Sequence, residues 1–186
     1  MDTTVMEYTA EDLIAHKLQR SGILIAKPKF DQEGTDLLAL LTVSAGAKFC
    51  QIQCKGRSLV NSSNSSVDIP KKYADDRFIL FLFVETGQEN LTHLYCFFGR
   101  EIRNYWHQRG DSYVLSISRS TLQSALARFA FDSRKVHRIK KAIVDVDVQG
   151  EFKKVIYGYL DVTEEGDTLN ASAAAGTPPD NEPGRT

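Results

Sequence analysis

The chain has 186 residues, of which 42% are apolar and 25% charged, and its formal net charge is −1 at pH 7. This composition excludes fibrous and membrane classes, and the length suits one compact domain with a substantial core. No apolar run approaches the ~20 residues that span a bilayer, and the first residues lack the pattern of a signal peptide. We therefore expect a cytoplasmic protein without a membrane partner.

The charge is unevenly spread, because the segment from Glu164 onward holds five acids and one arginine. Residues 1–163 therefore carry an excess of three bases, which mildly favours a polyanionic partner. The same segment is rich in Ala, Gly and Pro, and we predict a disordered tail over 164–186 after a folded domain over 1–163. The three cysteines form no CxxC pair, which indicates reduced thiols.

The first predicted element is a helix with Thr9 as its N-cap and Gly22 at its end. Strands are predicted over 23–27, 36–43, 48–55, 78–84, 92–98 and 112–117. Residues 100–107 and the segment after Ser120 are predicted to be helical, and 58–66 to be a mobile loop. A basic helical piece and the strand-like segments VDVDV and VIYGYL follow. This order predicts an α/β fold with a mixed sheet flanked by helices.

The strand KFCQIQCK carries the chemically informative residues. Its side chains alternate, so Gln53 and Lys55 share one face and Cys50 and Cys54 the other, apolar face. Asp36 opens the preceding strand after a Gly-Thr turn. If the two strands pair in antiparallel fashion, Asp36 lies beside Gln53 and Lys55. Hard oxygen ligands together with a lysine suit metal-assisted phosphodiester hydrolysis.

Three segments together resemble the PD-(D/E)XK nuclease superfamily, in particular its Gln-x-Lys branch with Mrr-like restriction enzymes and small uncharacterised bacterial proteins. The segments are AEDLIAHKLQRSG, EGTDLLAL and QIQCKGRS; the resemblance covers residues 7–60 and extends to about Trp106. It implies a restriction-endonuclease-like fold and a Mg²⁺- or Mn²⁺-dependent DNA endonuclease. A role in restriction of foreign DNA and a homodimer that cuts both strands are expected from the same resemblance.

The resemblance also implies roles for individual residues. Asp36, Gln53 and the backbone carbonyl of Cys54 match metal ligands, and Lys55 matches the catalytic lysine. Glu11 matches the acid on the first helix, with Glu7 and Asp12 as rivals. Gln53 stands where most members have a carboxylate, which removes one negative charge. The alternative reading is therefore a catalytically weak or inactive DNA-binding module, and a third is an interaction domain without a nucleic-acid role.

Two groups of basic residues are candidates for contacts with DNA phosphates. The first flanks the serine-rich segment and comprises Lys55, Arg57, Lys71 and Lys72. The second surrounds the last predicted helix, where Asp132 is the acid that opposes it, and comprises Arg128, Arg134, Lys135, Arg138, Lys140 and Lys141. Tyr105, Trp106 and His107 offer aromatic rings that either stack on a base or pack in the core.

Overall fold

A computed structural model describes residues 3–29, 34–43, 46–76, 78–88 and 93–145. Its helices are α1 (Thr3–Arg20), α2 (Gly99–Tyr105), α3 (Leu122–Leu126) and α4 (Ser133–Asp145). Its strands are β1 (Leu24–Ala26), β2 (Leu37–Val43), β3 (Gly46–Ser58), β4 (Asn64–Pro70), β5 (Ile79–Glu85), β6 (His93–Phe98), β7 (His107–Arg109) and β8 (Ser112–Ser118). Single 3₁₀ turns occupy Lys71–Tyr73 and Ala127–Phe129.

The main sheet has five strands in the order β1-β2-β3-β5-β6. β3 and β5 run parallel, whereas every other neighbouring pair is antiparallel. The centre of the molecule therefore consists of α1, the antiparallel meander β1-β2-β3, and β5, which runs parallel to β3. The predicted α/β class, with a mixed sheet flanked by helices, is confirmed.

A second sheet, in the order β4-β8-β7, was not predicted as a sheet. Part of the predicted mobile loop over 58–66 belongs to strands, because β3 extends to Ser58 and β4 begins at Asn64. All seven residues of β4 pair with β8 in antiparallel register. The first half of β4 consists of Asn and Ser, so it carries no apolar alternation, and only Val67 and Ile69 enter the core.

The five-stranded sheet separates two apolar cores. On one face, Cys50, Ile52 and Cys54 of β3 pack with residues of α1 and α4. The other face is covered by the smaller sheet, α2 and α3, and its core includes Leu80 and Leu82 of β5. The prediction that a helix covers the cysteine face of β3 is thus confirmed.

Several predicted boundaries require correction. Thr9 lies inside α1, which begins at Thr3, so Thr9 is not the N-cap. The N-cap position of α3 is Thr121 rather than Ser120, and the Thr121 side chain makes no capping hydrogen bond. Gly22 does end α1: its φ is +74°, and its N–H donates to the Gln19 carbonyl oxygen at 2.9 Å.

The C-terminal predictions are mostly beyond the described residues. Val144 and Asp145 close α4, whereas the rest of VDVDV, the segment VIYGYL and the boundary between 163 and 164 lie outside the described ranges. Within those ranges, no helix is both long enough and apolar enough to cross a membrane.

Candidate active site

The start of β2 and the C-terminal part of β3 bring Asp36 against Cys54. The sheet register pairs Leu37 with Ile52, and the Asp36 N–H donates to the Ile52 carbonyl oxygen at 3.0 Å. The backbone N–H of Cys54 then donates to Asp36 Oδ2 at 2.6 Å. The carboxylate of Asp36 is therefore held directly beside the Gln-x-Lys segment, as the antiparallel pairing predicts.

Gln53 and Lys55 share the face of β3 opposite to the cysteines. In the parallel register Gln53 pairs with Leu80 and Lys55 with Leu82, and both leucines belong to the core beneath the smaller sheet. Gln53 is only 6% exposed, whereas Lys55 is half-buried. The two side chains thus lie on one face of β3, on either side of Cys54, whose N–H holds the Asp36 carboxylate.

The amide of Gln53 lies in a tight polar niche. Its Oε1 atom is buried and has no hydrogen-bond partner within the described ranges. Gly34 packs against the same amide: a Cβ at position 34 would lie 2.9 Å from Gln53 Nε2 and 3.3 Å from Tyr73 Cε2. Gly34 also has a φ of +68°, so a side chain there is both strained and crowded. The sequence signalled Gly34 only as a turn residue, and nothing in it signalled Tyr73.

Glu11 approaches from α1, on the other face of the sheet. Its side chain is 13% exposed, and its Oε2 lies 2.5 Å from Lys27 Nζ. The hydrogen bond and the charge of Glu11 raise the pKa of Lys27, and they outweigh burial, which lowers it. Asp12 and Tyr8 also raise this pKa. Lys27 directly follows β1 and was not among the predicted site residues.

The charges of the site converge on Cys54. The pKa of its thiol is raised well above the ordinary value, first by burial and then by the carboxylates of Asp36 and Glu11. Lys55 and Lys27 act in the opposite direction. The thiol therefore stays protonated, which disfavours it as a soft metal ligand. The two carboxylates and the two ammonium groups that act on the Cys54 thiol therefore sum to zero net charge.

The remaining donors are all oxygen atoms, which Mg²⁺ and Mn²⁺ prefer. They are the carboxylates of Asp36 and Glu11, the amide oxygen of Gln53 and the backbone carbonyl of Cys54. The carbonyl and N–H of a strand residue point to the same side, so the Cys54 carbonyl is directed toward the side where Asp36 lies. The buried and unpartnered Gln53 oxygen is an acceptor that a cation would satisfy. No three His, Cys, Asp or Glu side chains gather into a possible metal site in the described part of the chain.

The first basic group is divided by its contacts. Arg57 bonds backbone carbonyls, with Nε 2.8 Å from the oxygen of Ser66 and Nη1 2.7 Å from that of Gly56. Lys72 is exposed, and its Nζ lies 4.9 Å from the centroid of the Tyr73 ring. Lys72 lies close to the candidate site, because its neighbour Tyr73 packs against Gly34. Arg57 is instead held against β4 by its hydrogen bond to the Ser66 carbonyl oxygen.

The prediction that Lys135 contacts DNA is wrong. Lys135 is 4% exposed, and its Nζ lies 3.0 and 3.2 Å from the two carboxylate oxygens of Glu101. Arg138 Nη1 is 2.6 Å from Glu101 Oε1. Glu101 therefore joins Asp132 as an acid that pairs with the second basic group. Burial tends to raise the pKa of Glu101, but hydrogen bonds from Arg138, the Phe98 backbone and Lys135 lower it overall.

The other basic residues of α4 lie on its outer side. Arg134 is 90% exposed beside Asp132, and Lys141 is 66% exposed and 2.6 Å from Asp145. Lys48 Nζ bonds the Val144 carbonyl oxygen at the C-terminal end of α4. Lys48 precedes Lys55 by seven residues, or about 23 Å along a strand. The end of α4 that carries Lys140 and Lys141 is thus remote from Lys55.

Comparisons with known proteins identify no family for the chain. No protein-family model matches it, and no curated protein matches it. Among solved structures, a Holliday junction resolvase from the archaeal hyperthermophile Archaeoglobus fulgidus is similar with a TM-score of 0.42 and 7% identity, over 70% of this chain and 93% of that one. The bacterial homing endonuclease I-Ssp6803I is similar with a TM-score of 0.48 and 14% identity, over 80% of this chain and 100% of that one.

Proposed function

We propose that this protein is a divalent-metal-dependent DNA endonuclease of the PD-(D/E)XK type. The observation that carries the proposal is the Asp36 carboxylate, fixed at 2.6 Å on the Cys54 N–H between Gln53 and Lys55. The Gln53 amide and the Lys55 ammonium group flank Cys54 on one face of the same strand, and within the described ranges the Gln53 amide oxygen is buried without a partner. This is the arrangement that the resemblance to the superfamily leads one to expect.

In this proposal Asp36, Gln53 and the Cys54 carbonyl hold Mg²⁺ or Mn²⁺, with Glu11 as a further ligand. The bound ion supplies polarisation of the scissile phosphate and a lowered pKa for an attacking water. Lys55 orients that water and offsets the charge that develops on the phosphate oxygens. The hydrogen bond from the Cys54 N–H fixes the Asp36 carboxylate in advance of binding, so little ordering remains at the moment of reaction.

The partner is duplex DNA, whose backbone is contacted by Lys72, Arg57 and Lys71 near the site. The exposed residues Arg134, Arg138 and Lys141 of α4, with the half-buried Lys140, add a sequence-independent attraction at a distance from it. Pairing of two copies would place one site on each strand. Restriction of foreign DNA is the biological role that this activity would serve.

A second candidate is a DNA-binding module with little or no hydrolytic activity. Two observations favour it: position 53 carries a neutral amide, and Lys27 neutralises Glu11 at 2.5 Å. Before any metal binds, the four charged groups around Cys54 already balance, so the attraction for a divalent cation is weaker than in a site with an excess of carboxylates.

Nicking of supercoiled plasmid separates the two candidates. Incubation with Mn²⁺ or Mg²⁺ should produce open circles, and EDTA should abolish them. Asp36→Ala and Lys55→Met should each lower the rate by about a hundredfold or more, within the usual range for a lost acid–base or electrostatic group. Lys48→Met is the matched control on the same strand, and it should retain the wild-type rate.

Salt-sensitive DNA binding without nicking, on supercoiled, linear and branched DNA, would favour the binding module. Equal nicking by wild type and by both site variants would indicate a contaminating nuclease and overturn the proposal.

A further inference from the structure

A cavity lies between β8, α3 and the C-terminal end of α2, and the candidate active site does not use it. Its volume is about 230 Å³. Aromatic and aliphatic side chains form most of its wall, and one arginine lies at it; they include Tyr105, Trp106, Ile117, Leu122, Arg128 and Phe129. Pockets for drug-sized molecules measure about 300–1,000 Å³. The space therefore suits a single ring system rather than a larger ligand.

One residue of the wall, Trp106, is almost completely buried. Trp106 is only 6% exposed, and its indole Nε1 has no hydrogen-bond partner in the ranges given above. The ring packs edge-on against Phe97, with centroids 5.3 Å apart and an interplanar angle of 85°. A buried donor left unsatisfied costs about 1–3 kcal/mol.

The wall also contains a positive charge that no carboxylate neutralises. The guanidinium of Arg128 lies 4.3 Å from the centroid of the Tyr105 ring and 5.5 Å from that of Phe129. None of the residues that line the cavity is acidic, and no described carboxylate forms an ion pair with Arg128. An aromatic ring paired with a guanidinium plane favours a flat, electron-rich ligand, and the charge favours a nearby anion.

We infer that this cavity receives one unstacked nucleobase of DNA. The base would stack beside Tyr105 and Arg128 and pack against the Trp106 ring, and its own phosphate would face Arg128. This inference rests on the proposed action on DNA, and it specifies the substrate class: DNA that contains an unpaired or displaced base.

The cavity is connected to the candidate active site by direct contacts. Arg103 of α2, which lies two and three residues before Tyr105 and Trp106, donates to the Ala74 carbonyl oxygen. Ala74 follows Tyr73, which packs against Gly34 at the Gln53 amide. Both the cavity and the Gln53 side chain lie on the side of the five-stranded sheet that the smaller sheet covers.

Trp106 is the single tryptophan of the chain, so intrinsic fluorescence reports directly on this cavity. The full chain should be titrated in EDTA with a duplex that contains one bulged adenine, and with the same duplex fully paired. We expect quenching with the bulged duplex and at least about tenfold tighter binding than with the paired one. The presence of EDTA makes the measurement independent of cleavage.

Two variants test the assignment by anisotropy of the labelled duplexes. Arg128→Ala and Trp106→Phe should each reduce the preference for the bulged duplex about fivefold or more. Arg20→Ala removes an exposed arginine at the end of α1 and should leave the preference unchanged. Thermal unfolding by circular dichroism verifies that each variant is folded.

Equal affinity for the two duplexes would overturn the inference, and so would a preference that both variants retain. Failure of the proposed endonuclease activity is distinguishable, because it would remove nicking and leave the bulge preference and its loss in Arg128→Ala intact. Quenching by an added peptide or by self-association, without any response to bulged DNA, would also overturn it.

Discussion

Lys27 Nζ lies 2.5 Å from Glu11 Oε2, although the two residues belong to different elements. This ion pair determines how much negative charge the candidate site presents to a metal ion. Lys27 is itself about half exposed, so it competes with a cation for Glu11 without being locked in a dry interior. The first prediction follows from this competition.

Replacing Lys27 with methionine should strengthen Mn²⁺ binding about tenfold, which corresponds to about 1.4 kcal/mol. The reason is that Glu11 is released as a ligand and the site gains one net negative charge. Calorimetric titration measures the affinity. Glu11→Gln added to Lys27→Met should cancel the gain, and Lys29→Met, an exposed neighbour, should have no effect. Unchanged or weaker binding in Lys27→Met would show that Glu11 is not a metal ligand.

Replacing Gln53 with glutamate should make the stability of the protein depend on metal. Position 53 is 6% exposed and its Oε1 has no hydrogen-bond partner in the described ranges, so a carboxylate there lacks compensation when no metal is bound. We expect a lower melting temperature than wild type in EDTA and a larger increase on addition of Mn²⁺, because the ion binds only the folded form. Differential scanning calorimetry provides both values. A Gln53→Glu protein that responds to Mn²⁺ no more than wild type does would contradict the metal site.

Replacing Gly34 with alanine should impair the site more than the fold. The left-handed φ of +68° costs a non-glycine residue roughly 1–2 kcal/mol, and the new Cβ would lie 2.9 Å from Gln53 Nε2. Gly46→Ala is the matched control, since its φ is +123° and nothing lies within 4 Å of a Cβ there. Both variants should lose comparable unfolding free energy in urea, but Gly34→Ala alone should lose about tenfold or more in nicking rate. Equal nicking rates would show that the Gln53 amide is not needed where it stands.

The Glu101–Lys135 pair should contribute strongly to stability. Lys135 has a side-chain exposure of 5%, so Glu101→Gln leaves a buried ammonium group without its counter-charge and should cost about 3 kcal/mol. Glu101→Gln combined with Lys135→Met should recover most of the loss, as urea unfolding would reveal. If the double variant is no more stable than Glu101→Gln alone, the unpaired ammonium group of Lys135 is not the cause of the stability loss.

The pH dependence of this pair has a definite sign. The pKa of Glu101 is lowered from its ordinary value of 4.5, so the contribution of its carboxylate is fully present above that pH. It should be lost progressively as the pH falls below 4.5 and through the lower pKa of the folded state. The stability difference between wild type and Glu101→Gln should therefore shrink in acid. A difference that grows with acidification would contradict this assignment.

The three cysteines should be unreactive in the folded protein. Burial raises the pKa of Cys50 and of Cys96 to about 12, and it raises that of Cys54 well above its ordinary value. Thiol-specific reagents act on the thiolate, so we expect no modification at pH 8 until guanidinium unfolds the chain, and then reaction of all three. Rapid modification of one thiol in the native state would show that its strand is locally open.

The sequence by itself determined the local arrangement at the centre of the site. Strict alternation in β3 assigns Gln53 and Lys55 to one face and the cysteines to the other, because the side-chain period of a strand is two. Asp36 reaches the same place because a short connection forces β2 and β3 into an antiparallel pair. Both relationships join residues of segments that are adjacent in the sequence, so the alternation of side chains and the short connection are enough to predict them.

Only the tertiary structure decided which distant groups meet. Lys27 lies 16 residues from Glu11, Lys135 lies 34 residues from Glu101, and β4 finds its partner in β8 more than 40 residues later. Each of these contacts depends on which surfaces the core brings together. A polar strand or an isolated charge has no periodic pattern in the sequence. Its partner is selected by the hydrophobic free energy of burying many other residues at once. The same packing that places Asp36 beside Cys54 therefore converts a predicted DNA contact, Lys135, into a buried ion pair.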